Sequence, residues 1–289
     1  MLSSGYEAPQ TVEEAVTLLA ADADARVLAG GTDLLVQLRT GAPAPTAFVD
    51  IKRIPGMTSM EIGTDGLHCG AAVPAVEIYE NQTLCSLWPG LAEATDLIGS
   101  TQIQGRATWC GNLCNASPAA DAVPALIAVG AQVVVAGPNG ERTLAVEDFC
   151  TGPGQTVLGQ GELVTGFHIP APAPRSADAY LRFIPRSEMD IAVVGAGVSV
   201  TLDASGTIST ARVVLCAVAP TVFVVDDAAN ALIGSSLDAA ALDNAATAAS
   251  AAANPIDDKR GTVEYRRRVA GVLTRRAAKI AYERAKDRG

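Results

Sequence analysis

The chain has 289 residues, 49% hydrophobic and 18% charged, with a formal net charge of −10 at pH 7. Length and composition match an ordinary globular protein with room for two domains, and no apolar run is long enough to span a bilayer. The acidic balance excludes the uniformly basic footprint of a nucleic-acid binder.

The opening MLSSGYEAPQTVEEAV has neither a basic n-region nor an apolar h-region, so no secretory leader is expected. Six cysteines, at 69, 85, 110, 114, 150 and 216, form no CxxC pair and read as reduced thiols of a cytoplasmic protein. Thr11 and Glu14 have capping-box spacing, and Val12, Ala15, Val16, Leu18 and Leu19 share one face, which predicts a helix over 12–20. RVLAGG is a short strand ending in glycine, DLLVQLRTG a helix or extended turn closed by Gly41, and TAFVDIKRI a strand. MEIGTDGLHCGAAVP reads as a hairpin turning at Thr64-Asp65-Gly66. Helices follow at 74–80, 89–98 and 119–129, strands at 131–136 and beyond the turn Pro138-Asn139-Gly140, and GELVTGFHIP is a further strand. The proline-rich PAPAPRSA, 170–177, marks an interdomain linker. Beyond it, AYLRFIPRSEMDIAVVGAGVSVTLD, TISTARVVLCAVAP and TVFVVD fit an antiparallel sheet, and alanine-rich helices occupy about 238–252 and 262–286.

Two stretches can carry chemistry. In VLAGGTDLL the paired glycines Gly30 and Gly31 make either a plain strand-to-helix turn or a backbone nest that approaches an anion. In IGSTQIQGRATWCGNLCNASPAADAVPAL, 98–126, small residues replace apolar ones. Such a loop suits a ligand with phosphates and polar ring edges, with hydroxyls from Thr108 and Ser117 and an amide from Asn112. It leads into a helix starting near Pro118 or Ala119, with Asp121 in the first turn; the carboxylate is either a favourable charge there or a ligand contact.

These two stretches, followed by YLRFIPRSEMDIAVVGAGV, resemble in order and spacing the FAD-binding medium subunit of the molybdenum hydroxylases. That family includes the carbon monoxide, xanthine and N-heterocycle dehydrogenases, and the resemblance covers nearly the whole chain. It implies an α+β fold: a flavin domain of the vanillyl-alcohol-oxidase (PCMH) type at 1–172, with subdomains of about 1–55 and 56–172. A C-terminal α+β domain at 178–289, with a small antiparallel sheet and helices, would follow.

The cofactor implied for this chain is FAD. Val27, Leu28, Ala29, Gly30, Gly31, Thr32, Asp33 and Leu34 would hold the pyrophosphate. Thr108, Trp109, Cys110, Gly111 and Asn112 would form a second contact, with Ser117 close by. Ile98 and Val164 would line the flavin, Asp121 would hydrogen-bond it, and Arg182 stands where lysine is usual. Also implied are a large subunit with molybdopterin cytosine dinucleotide and a small subunit with two [2Fe–2S] clusters, in an (αβγ)2 assembly. Electrons would pass from the clusters through FAD to NAD, a quinone or oxygen.

Some residues depart from the family pattern. Cys110 replaces a glycine, Gly105 an asparagine, and Thr32-Asp33 the histidine-serine usual in carbon monoxide dehydrogenases, which argues against that substrate. A valine at Gly31 is expected to abolish FAD retention by filling the phosphate nest. A stand-alone flavin oxidase or reductase is the alternative, with 178–289 as its cap. The aromatics there, Tyr180, Phe183, Phe223, Tyr265 and Tyr282, are few for that task. An assembly protein that has lost its flavin is a third reading, opposed by Gly30, Gly31, Gly111 and Asn112.

Several further patterns read as structural. Cys110 and Cys114 lack the companions a cluster needs, and VVGAGVSV lacks the third glycine of a dinucleotide fingerprint and alternates like a strand. His68 and His168 read as isolated, so no metal site and no acid–base catalyst are expected. Residues 259–289 hold 11 of the 21 basic residues, and Val269, Val272, Leu273, Ala277 and Ile280 there form one face of an amphipathic helix, expected to pack on the C-terminal domain, with docking of its arginines onto an acidic partner as the alternative.

Overall fold

The computed structural model describes residues 4–288; the expected flavin domain's first three residues and Gly289 lie outside the described residues. The chain begins β1 (Gly5–Glu7), α1 (Val12–Ala21), β2 (Arg26–Leu28), α2 (Leu34–Arg39) and β3 (Ala47–Asp50). The strands form a parallel sheet of order β1-β3-β2, with Leu28 opposite Asp50. Helix α1 starts as expected: Thr11 Oγ1 accepts from the Glu14 N–H at 3.2 Å, and Ala15 and Leu19 are buried. The Glu14 carboxylate accepts from Gln10 N–H at 2.7 Å, one residue before the capping-box position.

Next come β4 (Met60–Gly63), β5 (Gly66–Gly70), α3 (Ala75–Tyr79), α4 (Gln82–Leu87), α5 (Pro89–Asp96), α6 (Thr101–Gln104), α7 (Trp109–Cys114) and α8 (Ala122–Ala128). Strands β6 (Gln132–Gly137), β7 (Gly140–Ala145), β8 (Cys150–Gly152), β9 (Gln155–Thr156) and β10 (Leu163–Pro170) follow. An antiparallel sheet of order β4-β5-β10-β6-β7 results, with a register shift between Val164 and Gly166. Its apolar face shares one core with the parallel sheet through residues such as Val49, Ile51, Leu67, Leu126 and Phe167.

Three expectations need correction here. The 98–118 stretch is not one loop but contains the short helices α6 and α7. The 119–129 helix starts at Ala122, with Asp121 at the cap position rather than inside the first turn. Pro124 explains the shift: three residues from the start its missing N–H costs nothing, whereas a start at Ala119 would leave it in the helix interior. Thirdly, His68 and His168 are not isolated. The register of β5 and β10 places them opposite one another, their rings stacked with centroids 4.6 Å apart. Helix α4 was not foreseen; Asn81 caps it by accepting from Leu84 N–H at 2.9 Å.

After residues 171–175 the chain forms β11 (Ser176–Phe183), β12 (Val194–Leu202), β13 (Ile208–Cys216), β14 (Phe223–Val224), α9 (Asp226–Leu232), α10 (Ala239–Ala252) and α11 (Val263–Asp287). The strands make an antiparallel sheet in sequential order. VVGAGVSV lies in β12 from its second residue, Val194, as its alternation predicts. Ala196, Val198, Val200 and Leu202 enter a second core with α10 and α11. Gly197 faces α8, where a Cβ would come within 2.8 Å of the Pro124 carbonyl oxygen, and Ser199 Oγ donates to Ala128 O at 2.6 Å. Gly197 thus serves sheet–helix packing. The inward stripe of α11 is alanine-rich (Ala270, Ala277, Ala278, Ala281, Ala285), with Leu273 and Thr274; Val272, expected inside, is exposed. No helix among the described residues is long and apolar enough to cross a membrane.

Candidate cofactor-binding site

The parallel sheet delivers the first glycine pair. At the end of β2 the Lys52 ammonium donates to Ala29 O at 2.9 Å and pairs with Asp50 Oδ1 at 2.7 Å. Tyr6 OH donates to Asp50 Oδ2 at 2.6 Å. Burial works to raise the Asp50 carboxyl, but its hydrogen bonds with Lys52 and Tyr6 win and hold it below its ordinary value. The chain then turns through Gly30 and Gly31 into α2.

Gly30 meets the second stretch directly. Arg106 Nε donates to Gly30 O at 3.0 Å, and a Cβ on Gly30 would lie 2.0 Å from the Arg106 carbonyl oxygen. Only glycine permits this backbone contact. Gly31 is restricted differently. Its φ of +77° is left-handed, and its Cβ would meet Leu28 Cδ1 at 2.9 Å and Leu35, not open cavity. Crowding of a phosphate nest is therefore not what a side chain there would cause first.

In the second stretch Thr108 caps α7, its Oγ1 accepting from Gly111 N–H at 2.9 Å, while Asn112 N–H donates to Thr108 O at 3.0 Å. Asn112 Oδ1 accepts from Ala122 N–H at 3.1 Å, tying α7 to the start of α8. The Gly111 and Asn112 N–H groups are thus engaged within the protein. Among the described residues, those of Trp109 and Cys110 have no protein acceptor, and neither do those of Gly30, Gly31, Thr32, Asp33 and Leu34. Cys110 is buried, its Sγ 3.8 Å from Cys114 Sγ; that contact and burial push the Cys114 thiol above its ordinary value.

Between these segments lies a cavity of about 290 Å³. Of the residues singled out by sequence, Val27, Ala29, Gly30, Gly31, Thr32, Asp33, Leu34, Ile98, Thr108, Cys110, Gly111, Asn112 and Val164 line it. Leu28, Trp109, Ser117, Asp121 and Arg182 do not. Trp109 points into the core and donates Nε1–H to Thr95 Oγ1 at 2.8 Å, and Ser117 Oγ accepts from Ala119 N–H at 3.2 Å. Asp121 pairs with the buried Arg182 guanidinium at 2.9 Å; burial raises its carboxyl to about 6 against the opposing pull of Arg182. The sequence reading missed Arg26, Gln37, Ala107, Cys114, Asn115, Leu158, Glu162 and Leu163. All but Leu158 lie inside stretches quoted above and were within reach; Leu158 is brought to the wall by the fold.

Electrostatically the wall is spare. Its charged members are Arg26, Asp33 and Glu162, and Glu162 is paired with Arg142 at 2.8 Å. Desolvation raises the Asp33 carboxyl above its ordinary value. A diphosphate here would be met chiefly by unpartnered backbone N–H dipoles. Apolar Ile98, Leu158, Leu163 and Val164 supply a dry surface for a flat ring. Two glycines whose Cβ would strike the Arg106 backbone or Leu28, orphaned amides and an apolar wall together fit a dinucleotide such as FAD.

A mixed fold of this topology, with a glycine-lined cavity followed by an antiparallel α+β domain, fits an FAD-binding chain of the PCMH type. Comparison with known proteins places it more narrowly. Residues 2–172 match the model of the FAD-binding domain in molybdopterin dehydrogenase, and 179–281 that of the CO dehydrogenase flavoprotein C-terminal domain. The chain belongs to this family of oxidoreductase flavoproteins. It is 35% identical over 288 residues to the carbon monoxide dehydrogenase medium chain of Afipia carboxidovorans, covering 99% of each. It is 31% identical to the xanthine dehydrogenase FAD-binding subunit of Escherichia coli O157:H7, covering 75% of each. Among solved structures, reconstituted CO dehydrogenase from Oligotropha carboxidovorans superposes with a TM-score of 0.92 at 33% identity, over 98% of both chains. Quinoline 2-oxidoreductase from Pseudomonas putida 86 gives 0.90 at 26% identity, again over 98% of both.

Proposed function

We propose that this chain is the electron-transfer subunit of a molybdenum hydroxylase. It would receive electrons from two [2Fe–2S] clusters on a small subunit, fed by a molybdopterin cytosine dinucleotide on a large one, and deliver them to NAD, a quinone or oxygen. Bound FAD supplies a carrier that exchanges electrons singly or in pairs. The chain's own residues supply position. The N–H groups of Gly30 to Leu34, with that of Cys110, would hold the diphosphate, and Ile98, Leu163 and Val164 would keep water from the ring. Thr108 fixes the second segment through its cap. Asp121 and Arg182 neutralise one another beside the Asn112–Ala122 link.

The observation that carries this reading is the backbone contact between Gly30 and Arg106, which closes two distant small-residue segments on one cavity. The cavity wall carries no histidine and no lysine, and of its two acids, Asp33 and Glu162, the second is paired with Arg142. That supports relaying electrons over turning over a small molecule directly. Relatives that are medium chains or subunits of complexes support partner chains; the (αβγ)2 assembly is part of the proposal. The experiment is purification with and without co-expressed neighbouring genes. FAD at one per chain, and bleaching of its absorbance on mixing with a reduced cluster-bearing partner, is the expected result. Substrate turnover by the chain alone would refute it.

A further inference from the structure

His68, His168 and Asp65 lie together on the antiparallel sheet, among residues the flavin site does not use. His68 on β5 and His168 on β10 are direct cross-strand partners with stacked rings, 26° apart in plane. Asp65, in the β4–β5 turn, places Oδ2 2.8 Å from His68 Nε2 and 3.9 Å from His168 Nε2. The three ligand atoms all lie within 4.8 Å of one another. His168 Nε2 is buried and has no hydrogen-bond partner among the described residues. The register continues the row: Glu61 on β4 faces His68, adding a carboxylate beside the pair.

We propose that Asp65, His68 and His168 form a binding site for a divalent first-row transition cation such as Zn2+. Two imidazole nitrogens and one carboxylate oxygen are the donor set such borderline ions take, whereas Mg2+ and Ca2+ require oxygen. Ligand atoms about 2.0–2.1 Å from a tetrahedral ion stand about 3.3 Å apart. The observed 2.8 and 3.9 Å bracket that value, so small side-chain rotations close the site. Asp65 and His68 are exposed and His168 is half-buried, which leaves the fourth position to water. The ion also gives the buried, unpartnered His168 nitrogen a partner. Its effect is mechanical. The site spans the hairpin tip and the end of β10, where Ala171 N–H donates to Asp65 O at 3.1 Å as the chain leaves for β11. A cation there staples the two together and raises the melting temperature by mass action.

The chain contains two histidines, so its imidazole resonances identify both ligands without ambiguity. Zn2+ is titrated into the full-length chain while imidazole NMR and calorimetry are recorded on wild type, His68→Gln and Asp65→Asn. Both imidazoles are expected to shift together and saturate at one equivalent. Removing an outer-shell partner of a metal site costs about 10–100-fold in affinity, so losing a direct ligand should cost at least about tenfold. His68 is exposed, so its replacement leaves folding intact. Binding through the free thiols would leave both imidazoles unmoved and His68→Gln at wild-type affinity. That outcome, or a shift of one imidazole alone, overturns the site.

Discussion

Replacing Gly30 with alanine tests the site at its tightest point. The new Cβ would start 2.0 Å from the Arg106 carbonyl oxygen and 2.8 Å from its carbon. An ordinary contact with that oxygen needs about 1.4 Å more, and both partners are backbone, so no side chain can swing away. Overpacking of this kind costs about 1–3 kcal/mol. Loss of the Arg106–Gly30 hydrogen bond adds about 1 kcal/mol. If about 2–3 kcal/mol of this falls on the cofactor-binding geometry, FAD affinity drops roughly 30–150-fold. Gly31→Ala should be milder: its strain is the left-handed φ of +77°, about 1–2 kcal/mol, and its steric partner is the flexible end of Leu28. Gly105, whose Cβ would meet nothing within 4 Å, is the neutral control. Titration of flavin-free protein with FAD, followed by fluorescence quenching, ranks the three, and thermal melts separate folding from binding. Wild-type FAD affinity in Gly30→Ala, or an equal loss in Gly105→Ala, would refute the closure by backbone contact.

Thr108→Val keeps the shape but removes the cap on Gly111 N–H; about 1 kcal/mol is lost and FAD binds more weakly, as calorimetric melting and FAD titration would show. Asp33→Asn keeps the backbone donor and removes a carboxylate from the cavity wall, so FAD should bind several-fold tighter at low salt, by about 1 kcal/mol. Asp121→Asn leaves Arg182 buried without its counter-ion and should cost about 3–5 kcal/mol in urea unfolding, largely recovered in Asp121→Asn/Arg182→Met. Burial raises the Asp178 carboxyl to about 6 from an ordinary 3.8, despite hydrogen bonds from Gly90 and Leu91 and the nearby Arg284 and Arg288. The folded state therefore holds the proton that the unfolded chain releases, and this group's contribution to stability falls as pH rises from about 4 to 6. Asp178→Asn should flatten that decline in urea titrations at stepped pH; an unchanged slope would refute the assignment.

Much of the fold was legible because its signals are local. The Thr11 cap, the Thr64-Asp65-Gly66 turn and the alternation of Val194–Leu202 each act over a few residues, and each is present. The elements that escaped are short helices without a hydrophobic period. Helix α7 (WCGNLC) is specified by the Thr108 cap and by burial of Trp109 and Leu113, which a reader looking for small residues takes for loop. Helix α11 shows the converse error. Its largest apolar residues suggest the inward face, yet close packing on β12 selects alanines and leaves Val272 exposed.

The candidate site divides along the same line. That glycines and small residues would gather at a cofactor could be read from their density, but which glycine is indispensable depends on a contact 76 residues away in the chain. Gly31 carries the unusual φ and draws attention in sequence; Gly30, with an unremarkable one, bears the steric constraint. The histidines repeat the lesson. Separated by a hundred positions they read as isolated, and the order β5-β10 in a sheet makes them neighbours. Strand order is fixed by which apolar faces find one another, so cross-strand pairs such as His68 and His168 are products of the core beneath them. A side chain whose partner is chosen in this way can be interpreted only after the sheet is known. The loops that look most functional in sequence therefore need not hold every site on the molecule.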